Sequence, residues 1–230
     1  MKHQGDSDVS MTRVRRSQEE ARAAYDRMSG FYDLLAGSSE RRYVEAGLRQ
    51  LEAQAGERIL EIGFGTGHAL VALARSVGSS GDVWGLDLSL GMASVARGKL
   101  ERGGLHDDAA LVCGDGARLP MRDASVDAVF MSFTLELFDT PRIPHVLGAC
   151  RRVMRDGGRL CVVSLARRRA PSLSVRFYEW LHSRFPRFAD CRPIPLAALL
   201  KQAEFRLTEL ERRSMWTLPV DVALAVKTEG

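Results

Sequence analysis

A glycine-rich turn caught between a strand and a helix constrains this chain more than any other feature. Residues 58–62 form a short apolar run, Arg-Ile-Leu-Glu-Ile, that leads directly into Gly63-Phe64-Gly65-Thr66-Gly67. From residue 68 to 76, Leu70, Leu73 and Ala74 recur at helical spacing. Glycines at alternating positions admit positive φ and a close backbone approach that side chains would block. The helix that follows offers unpaired N–H groups and a positive dipole end. Such a turn holds an anionic group, either a dinucleotide pyrophosphate or a carboxylate.

The rest of the chain repeats the strand–helix alternation. Strands are expected at 83–86, 109–113, 126–131 and 159–165, with helices at 90–102 and 143–154. The second helix is expected to end at Asp156-Gly157-Gly158. In front, Ser17 and Glu19-Glu20 open a helix over 17–28, and Val44, Leu48 and Leu51 share one face of a helix over 40–53. Apolar strands alternating with helices indicate a parallel sheet buried on both faces. Right-handed crossovers then place helices on both sides. After residue 165 the alternation stops, and a helix over 196–203 and strand-like runs at 207–210 and 220–226 finish the chain. The expected fold class is α/β: a Rossmann-like, doubly wound, mostly parallel sheet with a C-terminal antiparallel strand pair and helices on both faces. A flexible tail is expected over 1–16 and a single domain over 17–230, with cap helices in 17–55 and a lid-like segment over 166–204. A chain of 230 residues, 45% of them hydrophobic, has enough core for one such domain.

Glycine spacing separates the two anionic ligands. A dinucleotide fingerprint reads G-x-G-x-x-G, whereas Gly63, Gly65 and Gly67 read G-x-G-x-G with Glu61 two residues ahead. That compact form resembles motif I of the class I S-adenosylmethionine-dependent methyltransferases. Asp87 ends the second strand, twenty residues after Gly67, where a carboxylate accepts hydrogen bonds from both ribose hydroxyls. Gly114-Asp115 ends the third strand and Ser132-Phe133-Thr134 follows the fourth. All lie at strand C-termini, where open α/β sheets bind ligands. The resemblance covers about residues 25–226. It is closest to the ubiquinone/menaquinone-biosynthesis C-methyltransferase group, through Tyr25-Asp26-Arg27-Met28-Ser29-Gly30-Phe31-Tyr32-Asp33, Leu119-Pro120-Met121 and the run 130–137. It implies S-adenosylmethionine as the cofactor. Glu61, Gly63, Phe64, Gly65 and Gly67 would hold its methionine end, with Tyr25 capping it. Asp87, Leu88 and Met92 would hold the ribose side, and Asp115, Gly116 and Ser132 the adenine end and the active-site mouth. No metal is implied.

The sulfonium methyl is already an activated electrophile, so such an enzyme needs positioning rather than a covalent nucleophile. No Ser-His-Asp or Cys-His signature is present. A phenol ring carbon or an amine becomes nucleophilic only on losing a proton, which calls for a base. Of the five histidines, His3, His68, His106, His145 and His182, His145 stands best, shortly after the fourth strand. Tyr32, Phe133 and Arg192 are the residues expected to face the acceptor.

The net charge is +4, with basic residues bunched at 13–16, 151–155, 167–169 and 212–213. Phe177, Trp180, Leu181 and Arg184 share a helical face within the basic-aromatic segment 171–188. That face is either an amphipathic lid or an interfacial contact. The expected acceptor is a lipophilic small molecule, a quinol-type ring carbon, with N-methylation of a phospholipid amine or small amine as the alternative. A nucleic-acid methyltransferase lacks support: there is no appended RNA-binding module and no N-P-P-Y-like tetrapeptide after the fourth strand. The four cysteines, Cys113, Cys150, Cys161 and Cys191, show no paired or zinc-ligand spacing. Free thiols fit a cytoplasmic protein, one that makes weak peripheral contact with an anionic membrane.

Overall fold

Strands that are apolar on both sides must be covered on both sides, and the architecture follows from that requirement. The computed structural model describes residues 17–29, 37–167 and 191–228. Strands β1 (Arg58–Ile62), β2 (Asp82–Asp87), β3 (Ala109–Cys113), β4 (Val126–Ser132) and β5 (Met154–Leu165) pair in parallel. β6 (Phe205–Met215) and β7 (Leu218–Lys227) form a hairpin, and β7 runs antiparallel to β5. The sheet order is β3-β2-β1-β4-β5-β7-β6. The helices are α1 (Gln18–Met28), α2 (Gly37–Leu51), α3 (His68–Val77), α4 (Leu90–Arg102), α5 (Ile143–Val153) and α6 (Leu196–Gln202). Tyr43, Leu51, Leu70, Leu73, Ala96 and Leu100 bring α2, α3 and α4 against one face. Ile143, Val146, Leu147, Leu196 and Leu200 bring α5 and α6 against the other. Ile59 belongs to the first core and Leu60 and Ile62 to the second, so β1 is buried on both sides. The expected fold class is the one observed.

From β1 the chain winds outward to β2 and β3, then returns to place β4 and β5 on the other side. The crevice between the C-terminal ends of β1 and β4 is therefore the switch point of the sheet. Hydrogen bonds set the strand ends level: Gly63 N–H to Leu86 O at 2.7 Å, Gly114 N–H to Asp87 O at 2.9 Å, and Phe133 N–H to Val163 O at 2.8 Å.

Several boundaries differ from the sequence expectation. The helix expected over 143–154, with its stop at Asp156-Gly157-Gly158, ends at Val153, and β5 starts at Met154. Asp156, Gly157 and Gly158 lie within β5, where the register jumps from Val126↔Met154 to Ala128↔Arg159 and Gly157 has φ +74°. The glycines mark an irregularity in the strand rather than the end of a helix. The hairpin strands are longer than the apolar runs indicate. Edge strand β6 carries Arg206, Glu209, Glu211, Arg212 and Arg213, charges that suit an exposed edge and conceal the strand pattern. Helix α2 is a core element rather than a cap. At Gly47, a Cβ would come within 2.7 Å of Val163 Cγ2 and 3.0 Å of the Phe130 ring. Part of the expected lid is also core: Ala166 pairs with Ile194, and α6 fills the second helical layer. The tail 1–16, Tyr32, Arg168, Arg169 and the basic-aromatic residues Phe177, Trp180 and Leu181 lie outside the described residues. No helix among the described residues is long and apolar enough to cross a membrane.

Gly47→Ala tests the close packing of α2. In an open site the change stabilises a helix by up to about 1 kcal/mol, whereas overpacking costs about 1–3 kcal/mol. The expected outcome is a net loss of stability of about 1 kcal/mol in urea unfolding. A gain would show that α2 is loosely seated.

Candidate cofactor and acceptor site

The three turn glycines do different work. Gly63, Gly65 and Gly67 have φ of +73°, +51° and +82°. A Cβ on Gly63 would lie 2.3 Å from Thr134 Oγ1, and one on Gly67 would lie 2.7 Å from Ala96 Cβ. Those two glycines let the turn press against the β4 exit and α4. A Cβ on Gly65 would meet nothing within 4 Å, so there the backbone fronts open space. Gly67 caps α3 with no side-chain hydrogen bond, which leaves the helix N-terminus for a ligand. The Phe64 ring does not line this space. It is buried beneath the turn, where a Cβ on Gly85 would come within 2.7 Å of it. Phe64 serves the turn through its carbonyl, which accepts Gly67 N–H at 2.8 Å.

Acids flank the turn. Asp87 accepts Gly65 N–H on Oδ2 and Ser89 N–H on Oδ1, each at 2.9 Å. Burial raises its carboxyl above the usual value, against those hydrogen bonds, and Asp26 adds to the rise. Glu61 is 1% exposed and its Oε2 has no hydrogen-bond partner. Burial first, and the Asp87 charge second, push it from 4.5 up to about 8. Ser89 caps α4 by accepting Met92 N–H at 3.0 Å and donates its own hydroxyl to Asp26. Asp26 Oδ1 also accepts Gly91 N–H at 2.9 Å. The Ser89 bond, then Gly91, holds the Asp26 carboxyl below its ordinary value. This cluster seats α1 on the start of α4, and Tyr25, half-buried on α1, comes with it. Met92 is buried, and Leu88 is half-buried with its carbonyl accepting the Cys113 thiol at 3.3 Å.

At the third strand end, Asp115 accepts Ala117 N–H at 3.0 Å on Oδ1 and pairs with Arg142 through Oδ2. Arg142 also stands 6.0 Å from the centre of the Phe138 ring. Gly116 is packed closely: a Cβ there would lie 2.9 Å from both Ile62 Cγ2 and Phe138 Cζ. Arg142 offsets the Asp115 charge.

The β4 exit forms the opposite wall. Ser132 ends β4, and its carbonyl accepts the Thr134 hydroxyl at 2.9 Å. Phe133 has φ +49°, an unusual backbone for a bulky residue and one that clusters at functional sites. It is 6% exposed and meets Tyr43 edge-on, with ring centres 6.3 Å apart. Two expected residues take other places. His145 is exposed near the start of α5, its Nδ1 3.1 Å from the Pro141 carbonyl. Arg192 is 2% exposed and donates to Thr140 Oγ1 at 3.1 Å and Phe138 O at 2.7 Å, clamping the loop after β4. Glu136 was not singled out from the sequence, yet it lies fully buried in the short helical turn Leu135–Leu137. Its signal was an acid flanked by leucines in an apolar run. Asp26 was legible only as a neighbour of Tyr25.

Comparison with known proteins bears on this arrangement. A family model described as a methyltransferase domain matches residues 59–158. The demethylmenaquinone methyltransferase of Geobacillus stearothermophilus is 35% identical over 146 residues, 64% of this chain and 60% of the relative. The ubiquinone/menaquinone biosynthesis C-methyltransferase of Paraburkholderia phytofirmans is 30% identical over 174 residues, 73% of this chain and 69% of the relative. The chain belongs to the class I S-adenosylmethionine-dependent methyltransferases. It spans 60–65% of the length of several curated members that it matches. Among solved structures, the [4+2]-cyclase SpnF aligns with a TM-score of 0.75 at 17% identity, over 93% of this chain and 97% of the other. A methyltransferase from Aquifex aeolicus aligns with a TM-score of 0.61 at 18% identity, over 89% and 97%. These two likenesses show the shared fold.

The residues present fit the family cofactor. Gly65 fronts open space, α3 offers amide groups for a carboxylate, and Asp87 retains lone pairs for ribose hydroxyls. The buried, unpartnered Glu61 oxygen gains from a cofactor that carries ammonium and sulfonium charges.

Two expectations follow. A carboxyl raised in the folded state binds more protons there than when unfolded, so its stabilisation is lost as pH rises. Without cofactor, thermal stability should fall between about pH 4.5 and 8, a window to which Glu61 and the likewise buried Glu136 both contribute. Glu61→Gln should flatten that slope, and a slope unchanged by the substitution would contradict the burial account. Asp87→Ala removes the carboxylate expected to hold the ribose, and a tie on the turn. Hydrogen bonds to charged groups are worth about 1.5–3 kcal/mol, so Kd for S-adenosylmethionine should rise about ten-fold or more in calorimetric titration. An unchanged Kd in a folded variant would refute the role.

Proposed function

We propose that the protein transfers a methyl group from S-adenosylmethionine to a lipophilic small molecule, at a quinol-type ring carbon. The observation that carries the reading is the apolar β4 exit beside the glycine turn, where a Cβ on Gly63 would strike Thr134. Phe133 and Leu135 are buried at the β4 exit, and Tyr43 packs against Phe133. The curated relatives named for demethylmenaquinone and ubiquinone/menaquinone methylation support the same acceptor class.

When bound, the cofactor supplies an activated methyl electrophile. The chain's own residues supply placement. Asp87 and Asp115 fix two ends of the crevice, and Asp26 seats α1 over it. Holding reactants in line contributes up to about 7–11 kcal/mol toward the barrier. A quinol ring carbon becomes nucleophilic as its neighbouring hydroxyl loses a proton, so the acceptor side also needs a proton acceptor.

A greasy acceptor resides in a bilayer, and an exposed aromatic residue sits at the rim. Trp216 is 80% exposed at the tip of the β6–β7 hairpin. Leu165 pairs with Val220, so the tip lies at the same end of the sheet as the crevice. Tyr43 donates its hydroxyl to Ser214 O and touches Phe133, joining tip to wall. Arg42 reaches the same carbonyl at 3.1 Å, and Arg212 is exposed nearby on β6. These side chains match an anionic lipid surface, where each basic residue contributes about 1 kcal/mol.

Labelled S-adenosylmethionine offered with a demethylated quinol, a phospholipid amine or a small amine tests the reaction. Label should enter the quinol. The protein should also bind anionic vesicles weakly and lose them at high salt. Trp216→Ala should reduce that binding several-fold and leave cofactor affinity unchanged. Turnover of an amine, with no vesicle binding at low salt, would overturn this reading.

A further inference from the structure

A buried carboxyl on the acceptor side has no part in holding the cofactor. Glu136 Oε1 accepts Leu165 N–H at 3.0 Å, while Oε2 has no hydrogen-bond partner. The residue follows Thr134 by two positions, and Thr134 is the side chain that a Cβ on Gly63 would strike. Leu165 is the last residue of β5. The β5 exit is tied to the chain leading into α6 by Ile194 N–H to Leu165 O at 3.0 Å and Arg167 N–H to Ile194 O at 2.9 Å. Glu136 therefore stands where the ends of β4 and β5 meet, across the crevice from the glycine turn. The charged groups facing it are Glu40 on α2 and Arg192.

Holding one amide does not require an acid, since a Gln carbonyl accepts the same bond. A fully buried carboxyl with one oxygen unused is costly, and such groups cluster where protons move. We propose that Glu136 is the general base of the reaction, accepting the proton that the methyl acceptor loses. The inference rests on the acceptor class proposed above. In the step, the acceptor atom forms a bond to the methyl carbon and the cofactor sulfur keeps the electron pair of the bond that breaks. The acceptor's proton passes to the Glu136 carboxylate, and one positive charge on the cofactor and one negative charge on the base disappear together. Burial pushes the carboxyl from 4.5 up to about 8, against the backbone amides of Glu136 and Leu165, with Glu40 adding and Arg192 opposing. A base poised so near neutrality is strong enough to take a proton and ionises within the working range. The proton acceptor thus sits on the β4 exit turn rather than at His145.

The test compares Glu136→Gln, Glu136→Asp and the wild type in the full chain. Glu136→Gln keeps the shape and the bond from Leu165 and cannot take a proton. It should bind S-adenosylmethionine within two-fold of wild type and unfold no earlier. Turnover of the demethylated quinol should fall about 10²–10⁴-fold. The wild-type rate should rise with pH to a plateau above about 8, and that rise should vanish in Glu136→Gln and persist in a slower Glu136→Asp. Independently of turnover, an infrared carbonyl band of a protonated acid should titrate near 8 in wild type and be reduced in Glu136→Gln. Equal losses in Gln and Asp, an unchanged pH profile, or an unchanged infrared titration would each overturn the assignment. If the wild type methylates an amine and leaves the quinol untouched, the acceptor reading fails. The same three-way comparison on the amine then decides the role of Glu136 separately.

Discussion

The carboxylate of Asp87 holds two loops at once, and most of the site depends on that tie. One oxygen takes the amide of Gly65 in the turn after β1, and the other takes the amide of Ser89 after β2. Ser89, so placed, caps α4 and binds Asp26, and Asp26 seats the front helix. A chain of hydrogen bonds therefore runs from the end of β2 to α1. It explains why a helix distant in sequence lies beside the glycine turn.

That arrangement gathers negative groups where water is scarce. Glu61 and Asp87 are raised by burial, and each is raised further by a neighbouring carboxylate. Such a cluster is poorly satisfied without a cation. A ligand with positive charge at one end and hydroxyls at the other relieves it, because opposite charge favours the ionised acid while the hydroxyls fill spare lone pairs. At the third strand end, where the family resemblance would put the adenine, Arg142 offsets the Asp115 charge within the protein.

The cofactor half was legible because it is written locally. Glu61, Gly63, Gly65, Gly67 and Asp87 sit at strand ends, at spacings that the fold dictates, so the sequence order was enough. The doubly wound sheet was legible for the same reason. What the sequence hid was set by tertiary context. Phe64 has the place of a lining residue but drops beneath the turn because Gly85 leaves room for its ring. The glycines at 157 and 158 looked like a helix stop and proved to be a strand irregularity, since pairing with β4 resumes beyond them. Strand β6 was hidden by its charges. His145 had a fitting position in the chain but lies on the outer surface of α5.

The acceptor half has no comparable local signature, and its composition explains why. On the proposed reading, Tyr43 comes from α2, Phe133 and Glu136 from the β4 exit, and Trp216 from the hairpin tip, with Arg192 behind them on the approach to α6. No motif links these segments; only the sheet brings them together. Three of these side chains also hold the fold together, since Tyr43 ties the hairpin, Arg192 clamps the β4 loop, and Glu136 takes the Leu165 amide. A substitution on this side therefore alters shape and packing together, whereas the glycine turn tolerates little because Gly63 and Gly67 have positive φ and no room for a Cβ. The fold can hold one cofactor site constant while the opposite wall changes. On this account, acceptor chemistry must be read from buried polar atoms and rim side chains, not from motif order.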